Sequence, residues 1–268
     1  MPPWLTIATV VKDDAAGLER TLASLIYQDL AGAELVVVDS SADREAVPPV
    51  VSELPPDASV HYCWTAPAGI YPAMNQALGL AAGDYVYFLN AGDELAESTV
   101  LARVRRALAG TDAVWAFGAV EIRERSGARV VTPPWDYESE KRALFSRGHF
   151  PAHQGTFARR GVLGALGGFD AGYRISADYA MALRLSLVED PLLLPFIIAR
   201  FHEGGTSTQD WKASFAEFHR ARREILAPVG AAALRERWAT ARHFGLVYAH
   251  REVRPRLEWG PFRRRDRS

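Results

Sequence analysis

The residues of this chain best suited to chemistry stand at the ends of apolar runs. Thr9 lies within Leu5–Val11, Asp39 closes Glu34–Asp39, and Asn90-Ala91-Gly92-Asp93-Glu94 follows Tyr85–Leu89. In an open α/β sheet, ligands bind beyond the carboxyl ends of the strands. If these runs are parallel strands, the three polar positions converge on one edge of the sheet. An aspartate placed there can hold a divalent cation against a phosphate. The stretch Gly69–Glu94 (GIYPAMNQALGLAAGDYVYFLNAGDE) carries most of this signal, because a helix pattern runs into a short strand with a polar tip.

The elements that must position these residues alternate. Leu5–Val11 reads as a buried strand, and Asp13 or Asp14 can cap the helix that follows. Leu18, Leu22, Leu25 and Ile26 recur at helical spacing and form its apolar face. Glu34–Asp39 is a β-branched strand, Asp43–Leu54 a weak helix interrupted by Pro48 and Pro49, and Ser59–Trp64 a third strand. Ile70–Ala82 reads as a helix with Gly83 in the terminating position. Strands alternating with helices predict an α/β fold, a mostly parallel central sheet flanked by helices.

Further along, Ser98–Ala109 is a helix stopped by Gly110. Ala113–Ile122 and Ala128–Thr132 read as a hairpin around Ser126-Gly127. Pro133–Phe150 is aromatic and poorly periodic, like a loop near a cleft. A short helix spans Arg159–Leu166, a turn follows at Gly167-Gly168-Phe169-Asp170, and a helix runs over Asp178–Val188. Leu192–Ile198 is a late strand, and from Trp211 the chain is helical and rich in arginine.

A 49% hydrophobic composition supports a core in these 268 residues, and a net charge of −1 gives no hint of nucleic acid as a partner. No G-x-G-x-x-G follows the first strand, and no P-loop or G-x-S-x-G elbow is present. No paired cysteine or histidine motif suggests structural zinc. The single cysteine, Cys63, sits in an apolar run and reads as a structural thiol in a reducing compartment. The N-terminus shows no signal-peptide pattern, and the longest apolar run, Pro191–Ala199, is too short to span a bilayer. A cytoplasmic location follows as the expectation. The tail Arg251–Ser268 holds seven arginines and three acids, with Trp259 and Phe262. It reads either as a solvated terminus or as a peripheral contact with the inner face of an anionic plasma membrane.

Taken in order, TIATVVKDDAAGLERTLASLIYQ, ELVVVDSSAD, GIYPAMNQALGLAAGDYVYFLNAGDE, HQGTFARR, GGFDAGYRISADYAMALRL and FHEGGTS cover residues 4 to 208. In this series the chain resembles the family 2 inverting glycosyltransferases of GT-A fold. The GIY-AMN helix with LN-GD is similar to the bacterial polysaccharide subgroup, colanic-acid-type enzymes included. The resemblance implies a GT-A domain over 1–208, with a nucleotide-binding half (1–94) and an acceptor half (95–208). A helical, basic extension (209–268) follows. It implies transfer of a sugar from a UDP- or GDP-type nucleotide-diphosphate sugar to a hydroxyl of a glycan or lipid-linked acceptor, assisted by Mn²⁺ or Mg²⁺.

The roles it implies fall on particular residues. Thr9 and Val11 line the base pocket, and Asp39 binds the base or ribose. Tyr71 contacts the donor or simply packs. Asn75 orients polar groups near the donor, or is a buried amide holding its helix to the sheet. Asn90 and Asp93 form the acidic tip, with Asp93 the metal-binding acid rather than an N-cap. His202, before Gly204-Gly205, is a further metal or phosphate ligand. Asp178 is the general base, which inversion requires on the acceptor side, and can also cap its own helix. His153 and Gln154 lie in a segment that faces the acceptor, although a lone histidine more often packs.

The chain departs from the family where Asn90, Ala91 and Gly92 replace acids. It departs from the subgroup at Ala68 and Pro72, which puts the donor's identity in question. A nucleotidyltransferase would carry a Gly- and Arg/Lys-rich loop where this chain has Lys12–Gly17. A non-catalytic scaffold of the same fold is the other alternative.

Overall fold

The computed structural model describes residues 2–55, 58–123, 127–132, 137, 145, 150–202 and 210–249. Its first half is a parallel sheet in the order β3-β2-β1-β4, made of β1 (Leu5–Val11), β2 (Ala33–Asp39), β3 (Val60–Trp64) and β4 (Tyr85–Phe88). Every residue of β1 and β4 is buried, as expected for strands covered on both faces. Parallel pairing and the β1–β2 register set Val11 beside Asp39, so both strands end at one level.

Helix α1 (Ala15–Ile26) is capped by Asp14, whose side chain accepts from the Gly17 N–H at 2.8 Å. Leu18, Leu22 and Leu25 are buried, whereas Ile26 turns out to solvent. The two prolines expected to interrupt the next helix instead begin it. Helix α2 (Pro48–Ser52) has proline in its first turn, where no intrahelical N–H is needed. Helix α3 (Ile70–Leu80) ends before Gly83, so that glycine is no helix cap. A Cβ there would lie 2.5 Å from the Thr6 nitrogen and 2.6 Å from the Leu5 carbonyl carbon, so close backbone approach requires it.

The sheet continues as β4-β8-β6-β9-β5. Its later strands are β5 (Glu94–Leu95), β6 (Trp115–Arg123), β8 (Thr156–Arg159) and β9 (Leu192–His202), and β7 (Arg129–Thr132) forms the expected hairpin with β6. Strand β8 is antiparallel to both β4 and β6, β9 is parallel to β6, and β5 runs antiparallel to β9. The sheet is therefore parallel through the first half and mixed beyond it. Periodicity gave no sign of β5 or β8, which are two and four residues long.

Helices α1 and α4 (Val100–Leu108) cover one face, packed on Leu5, Ile7, Leu35, Val37 and Tyr87. Helices α3 and α6 (Ala177–Val188) cover the other, over Ala8, Val10, Val36, Val38 and Phe88. A short helix, α5 (Arg160–Ala165), leads into Gly167 and Gly168, both at positive φ. The chain then forms an antiparallel pair, α7 (Trp211–Leu226) and α8 (Gly230–Tyr248). Buried Arg222 ties the pair to the body, donating to the Phe145 carbonyl and the Tyr179 hydroxyl, each at 3.0 Å, and to Glu236 at 2.6 Å. Among the described residues no helix is long and apolar enough to cross a membrane.

Candidate active site

The site grows from the strand ends. After β4 the chain makes a tight turn at Asn90–Asp93, with Gly92 at φ +93° and the Asp93 N–H donating to the Asn90 carbonyl at 2.9 Å. Thr21, fully buried on α1, pins this turn. Its hydroxyl reaches the Asp93 carbonyl at 2.7 Å and accepts from the Gly92 N–H at 3.0 Å. The Asp93 carboxyl is buried. Desolvation pushes its pKa up to about 6, against the pull of the His153 charge and a Gln154 hydrogen bond.

Asp178 lies on the first turn of α6. Tyr71, on α3, donates toward Asp178 Oδ1 at 3.2 Å and toward the Ile175 carbonyl. Burial first, then the Asp178 charge, raise the phenol far above its ordinary pKa, so Tyr71 stays a donor. From the other side Glu217 of α7 accepts from three successive N–H groups. Oε1 takes Arg174 at 2.9 Å, and Oε2 takes Ile175 at 2.9 Å and Ser176 at 2.8 Å. The loop before the carboxylate is thereby fixed from two helices.

His153 lies between Asp178 and Asn90. Its Nδ1 lies 3.4 Å from Asp178 Oδ2 and its Nε2 lies 3.3 Å from Asn90 Nδ2. With Nδ1–H donating to Asp178, Nε2 accepts from the amide, and Asn90 Oδ1 is left buried without a protein partner. Burial alone would lower the His153 pKa. The hydrogen-bonded Asp178 carboxylate, with help from Asp93, outweighs it and holds the imidazole above its usual range. A charged His153 would require the Asn90 amide to turn its oxygen toward the ring.

At the far end of the same edge, Asp39 is fully buried. It accepts from the Ser41 N–H at 2.7 Å and from the Tyr62 hydroxyl at 2.9 Å. Burial, then Asp39, raise the Tyr62 phenol to about 12. Trp64 pairs with Asp39 across the strands and carries the Arg44 guanidinium 3.4 Å above its ring. The buried hydroxyls of Thr9 and Ser40 have no partner in the protein. Buried polar atoms ordinarily find one, so unpartnered oxygens at Thr9, Ser40 and Asn90 are consistent with an edge built to be completed by a polar ligand. Hard divalent cations take oxygen ligands and are often held by one or two carboxylates plus a substrate phosphate. Asp93 with the Asn90 oxygen fits that pattern. Among the described residues no group of three or more histidines, cysteines or acids could form an all-protein metal site.

Set against the sequence reading, Thr9, Val11, Asp39, Asn90 and Asp93 do share the carboxyl edge. Tyr71 is directed at Asp178. Asn75 gives both its amide groups to Phe169, donating to its carbonyl and accepting from its N–H at 2.7 Å each. It holds α3 to the Gly168 turn rather than to the sheet. His202 ends β9. Its backbone pairs with Arg123 of β6. Cys63 is half-buried beside Gln76, and burial raises its pKa, as suits an unreactive thiol. Most of Pro133–Phe150, the Gly204–Ser207 loop and the tail Arg251–Ser268 lie outside the described residues. Thr21 and Glu217 were not legible in sequence. They act through backbone atoms, and only tertiary packing shows that.

The model for glycosyl transferase family 2 matches residues 6–167. An uncharacterized glycosyltransferase of Mycobacterium tuberculosis is 29% identical over 224 residues, 81% of this chain and 82% of the relative. A PGL/p-HBAD biosynthesis glycosyltransferase of Mycobacterium bovis is 29% identical over 218 residues, 76% and 78% of the two chains. The fold is shared with S. aureus TarS 1-349 in complex with UDP-GlcNAc, at a TM-score of 0.67 and 15% identity over 96% of this chain and 76% of that one. Longer TarS is spanned to 45% of its length. It is shared too with the mannosyltransferase PcManGT of Pyrobaculum calidifontis in complex with GDP-Man and Mn²⁺, at 0.62 and 20% identity over 94% and 76%. The sheet is that of the GT-A glycosyltransferases, and the chain belongs to glycosyl transferase family 2.

Proposed function

We propose that this glycosyltransferase moves a sugar, with inversion, from a nucleotide-diphosphate sugar to a hydroxyl of a glycan or lipid-linked acceptor. The observation that carries the reading is the spacing of roles along one edge. Asp39 with Thr9 and Val11 serves the nucleoside, Asp93 with Asn90 serves the diphosphate, and Asp178 serves the acceptor. His153 joins the last two at hydrogen-bond range of Asn90 and Asp178. Residues 1–94 act as the donor half and 95–208 as the acceptor half, with 209–268 an extension.

Asp93 and Asn90, with His202 a further candidate, would hold Mn²⁺ or Mg²⁺, which neutralises charge on the departing diphosphate. Asp178 takes the proton of the acceptor hydroxyl as its oxygen bonds to the anomeric carbon. The bond from that carbon to the phosphate oxygen breaks on the opposite face, and the nucleoside diphosphate leaves. Tyr71 and the Glu217-held loop fix the carboxylate for this transfer. Complexes of the structural neighbours with UDP-GlcNAc and with GDP-Man and Mn²⁺ support a UDP or GDP donor.

The test is a nucleotide-sugar panel read by thermal shift, with and without Mn²⁺. Binding to the folded state raises its stability by mass action. A metal-dependent shift with one nucleotide, lost in Asp93→Ala, is expected, together with release of that nucleoside diphosphate on turnover. Binding without turnover on any acceptor would turn the reading toward a scaffold, and no binding would end it.

A further inference from the structure

Toward α7, helix α8 presents polar groups along its middle turns and the aromatic ring of Phe244 near its end. Glu236 Oε1 accepts from Arg222 Nε at 2.6 Å and from Thr240 Oγ1 at 3.1 Å, and Thr240 also meets Arg222 Nη2 at 2.8 Å and His219 Nδ1 at 3.1 Å. Most of its other large apolar side chains face water. Leu234 is 68% exposed, Trp238 67% and Leu246 60%, and no residue of the helix is fully buried. At 3.6 residues per turn Leu234, Trp238, Ala241 and Gly245 fall within an arc of about 60°. Arg235 and Arg242 border this stripe on one side and Arg237 on the other. The single acid of the helix, Glu236, is turned inward to Arg222.

An exposed leucine–tryptophan stripe rimmed by arginines of one sign has a specific physical meaning. Helices that lie in a membrane interface place leucine and tryptophan at the acyl boundary and arginine on the polar flanks. Arginine can bury its stem along such a surface and keep its guanidinium at the headgroups. We propose that the outer face of α8 docks on an anionic lipid bilayer. Charge selects this occupant. A second copy related by a twofold axis would bring the same three arginines against each other. The chain beyond residue 249 is itself basic, with a net charge of +4 over residues 251–268, so it matches the patch in sign rather than complementing it.

The placement suits the site. Trp211, which opens α7, packs on Phe244 near the end of α8 at 5.5 Å between rings. The same end of α7 holds Asp210, bonded to Arg174, and Glu217, bonded to the loop before Asp178. The end of α8 that leads into the basic tail thus packs on the half of α7 that braces the loop before Asp178. The docking itself depends on no step of the transfer reaction, and its test reads binding alone.

The full chain is sedimented with vesicles of phosphatidylcholine and of phosphatidylcholine mixed with phosphatidylglycerol. Binding is expected to the mixed vesicles only, and to weaken with salt. Each arginine near such a surface contributes roughly fivefold (about 1 kcal/mol), so R235Q/R237Q/R242Q should bind about 100-fold more weakly. Leu234→Glu with Trp238→Glu should lose the binding while melting as the wild type does. If that pair perturbs folding by circular dichroism, Trp238→Ser replaces it, at an expected tenfold loss. Vesicle binding unchanged in all these variants would assign it to the tail and overturn the proposal. Equal binding to both vesicle types, or none, would also overturn it. So would a dimer in sedimentation velocity that Trp238→Ser dissociates in the absence of any lipid binding.

Discussion

Thr21→Val tests whether α1 holds the acidic turn in shape. Valine keeps the volume and the branched Cβ, so packing in this fully buried position is preserved and only the hydroxyl is lost. A hydroxyl has one hydrogen to give, and the Asp93 carbonyl at 2.7 Å is its nearest acceptor, ahead of Gly17 at 3.1 Å and Asn90 at 3.2 Å. The Gly92 N–H loses one acceptor but keeps the Gly17 carbonyl at 3.1 Å. The net loss is therefore one buried carbonyl left unpaired, worth ~1–3 kcal/mol. For a chain of this size each kcal/mol lowers Tm by ~2–4 °C. Urea unfolding at 25 °C measures the change directly. Thr21→Ser, which keeps the hydroxyl, is the control. Because the same turn carries Asp93, Thr21→Val should also reduce the Mn²⁺-dependent thermal shift given by nucleotide diphosphate. A Thr21→Val chain within ~0.5 kcal/mol of wild type, the usual scatter of neutral substitutions, would refute the reasoning. So would a Thr21→Ser chain that is as unstable as Thr21→Val.

Three further outcomes follow from the geometry. Asp178→Asn removes the proposed proton acceptor but keeps the shape, so kcat should fall by ~10²–10⁴ with donor affinity unchanged in equilibrium binding. Glu217→Gln sets an amide nitrogen against backbone N–H groups in the 174–176 loop. It should cost ~1.5–3 kcal/mol in urea unfolding and lower kcat more than it raises the donor KM. Gly83→Ala forces a Cβ onto the backbone of β1 and should destabilise by ~1–3 kcal/mol by differential scanning calorimetry, with the nucleotide-dependent shift retained.

The strand–helix alternation of the first ninety residues was legible because each buried strand is a continuous apolar run and each helix shows a 3.6 period. The polar tips were legible for the same reason, since a strand end is also the end of an apolar run. Strand β8 was not. Thr156–Arg159 is too short to show a period, and it is a strand only because β4 and β6 offer it edges on both sides. The prolines of α2 misled because position within a helix decides whether proline breaks or begins it. Asp178 could be placed on a helix start, and the resemblance to the family implied a role for it. His153 had no local signal, for a lone histidine looks the same whether it packs or lies between Asn90 and Asp178. Asn75 had been left open between two roles, and only the facing Phe169 backbone decides where its amide is committed.

The Glu217 clamp has a consequence for how this chain can be divided. The match to the family model ends at residue 167, and the motif series ends at 208, yet the carboxylate on α6 takes its support from a helix that starts at Trp211. The proposed donor edge is braced mainly by Thr21, on Asn90 and Asp93, with His153 and Gln154 the supports from later in the chain, all before residue 208. The proposed acceptor side takes part of its support from α7. A chain cut after residue 208 should therefore still recognise nucleotide yet turn over poorly, and exchange of the α7–α8 pair between relatives would act as a dial on rate that leaves donor choice alone.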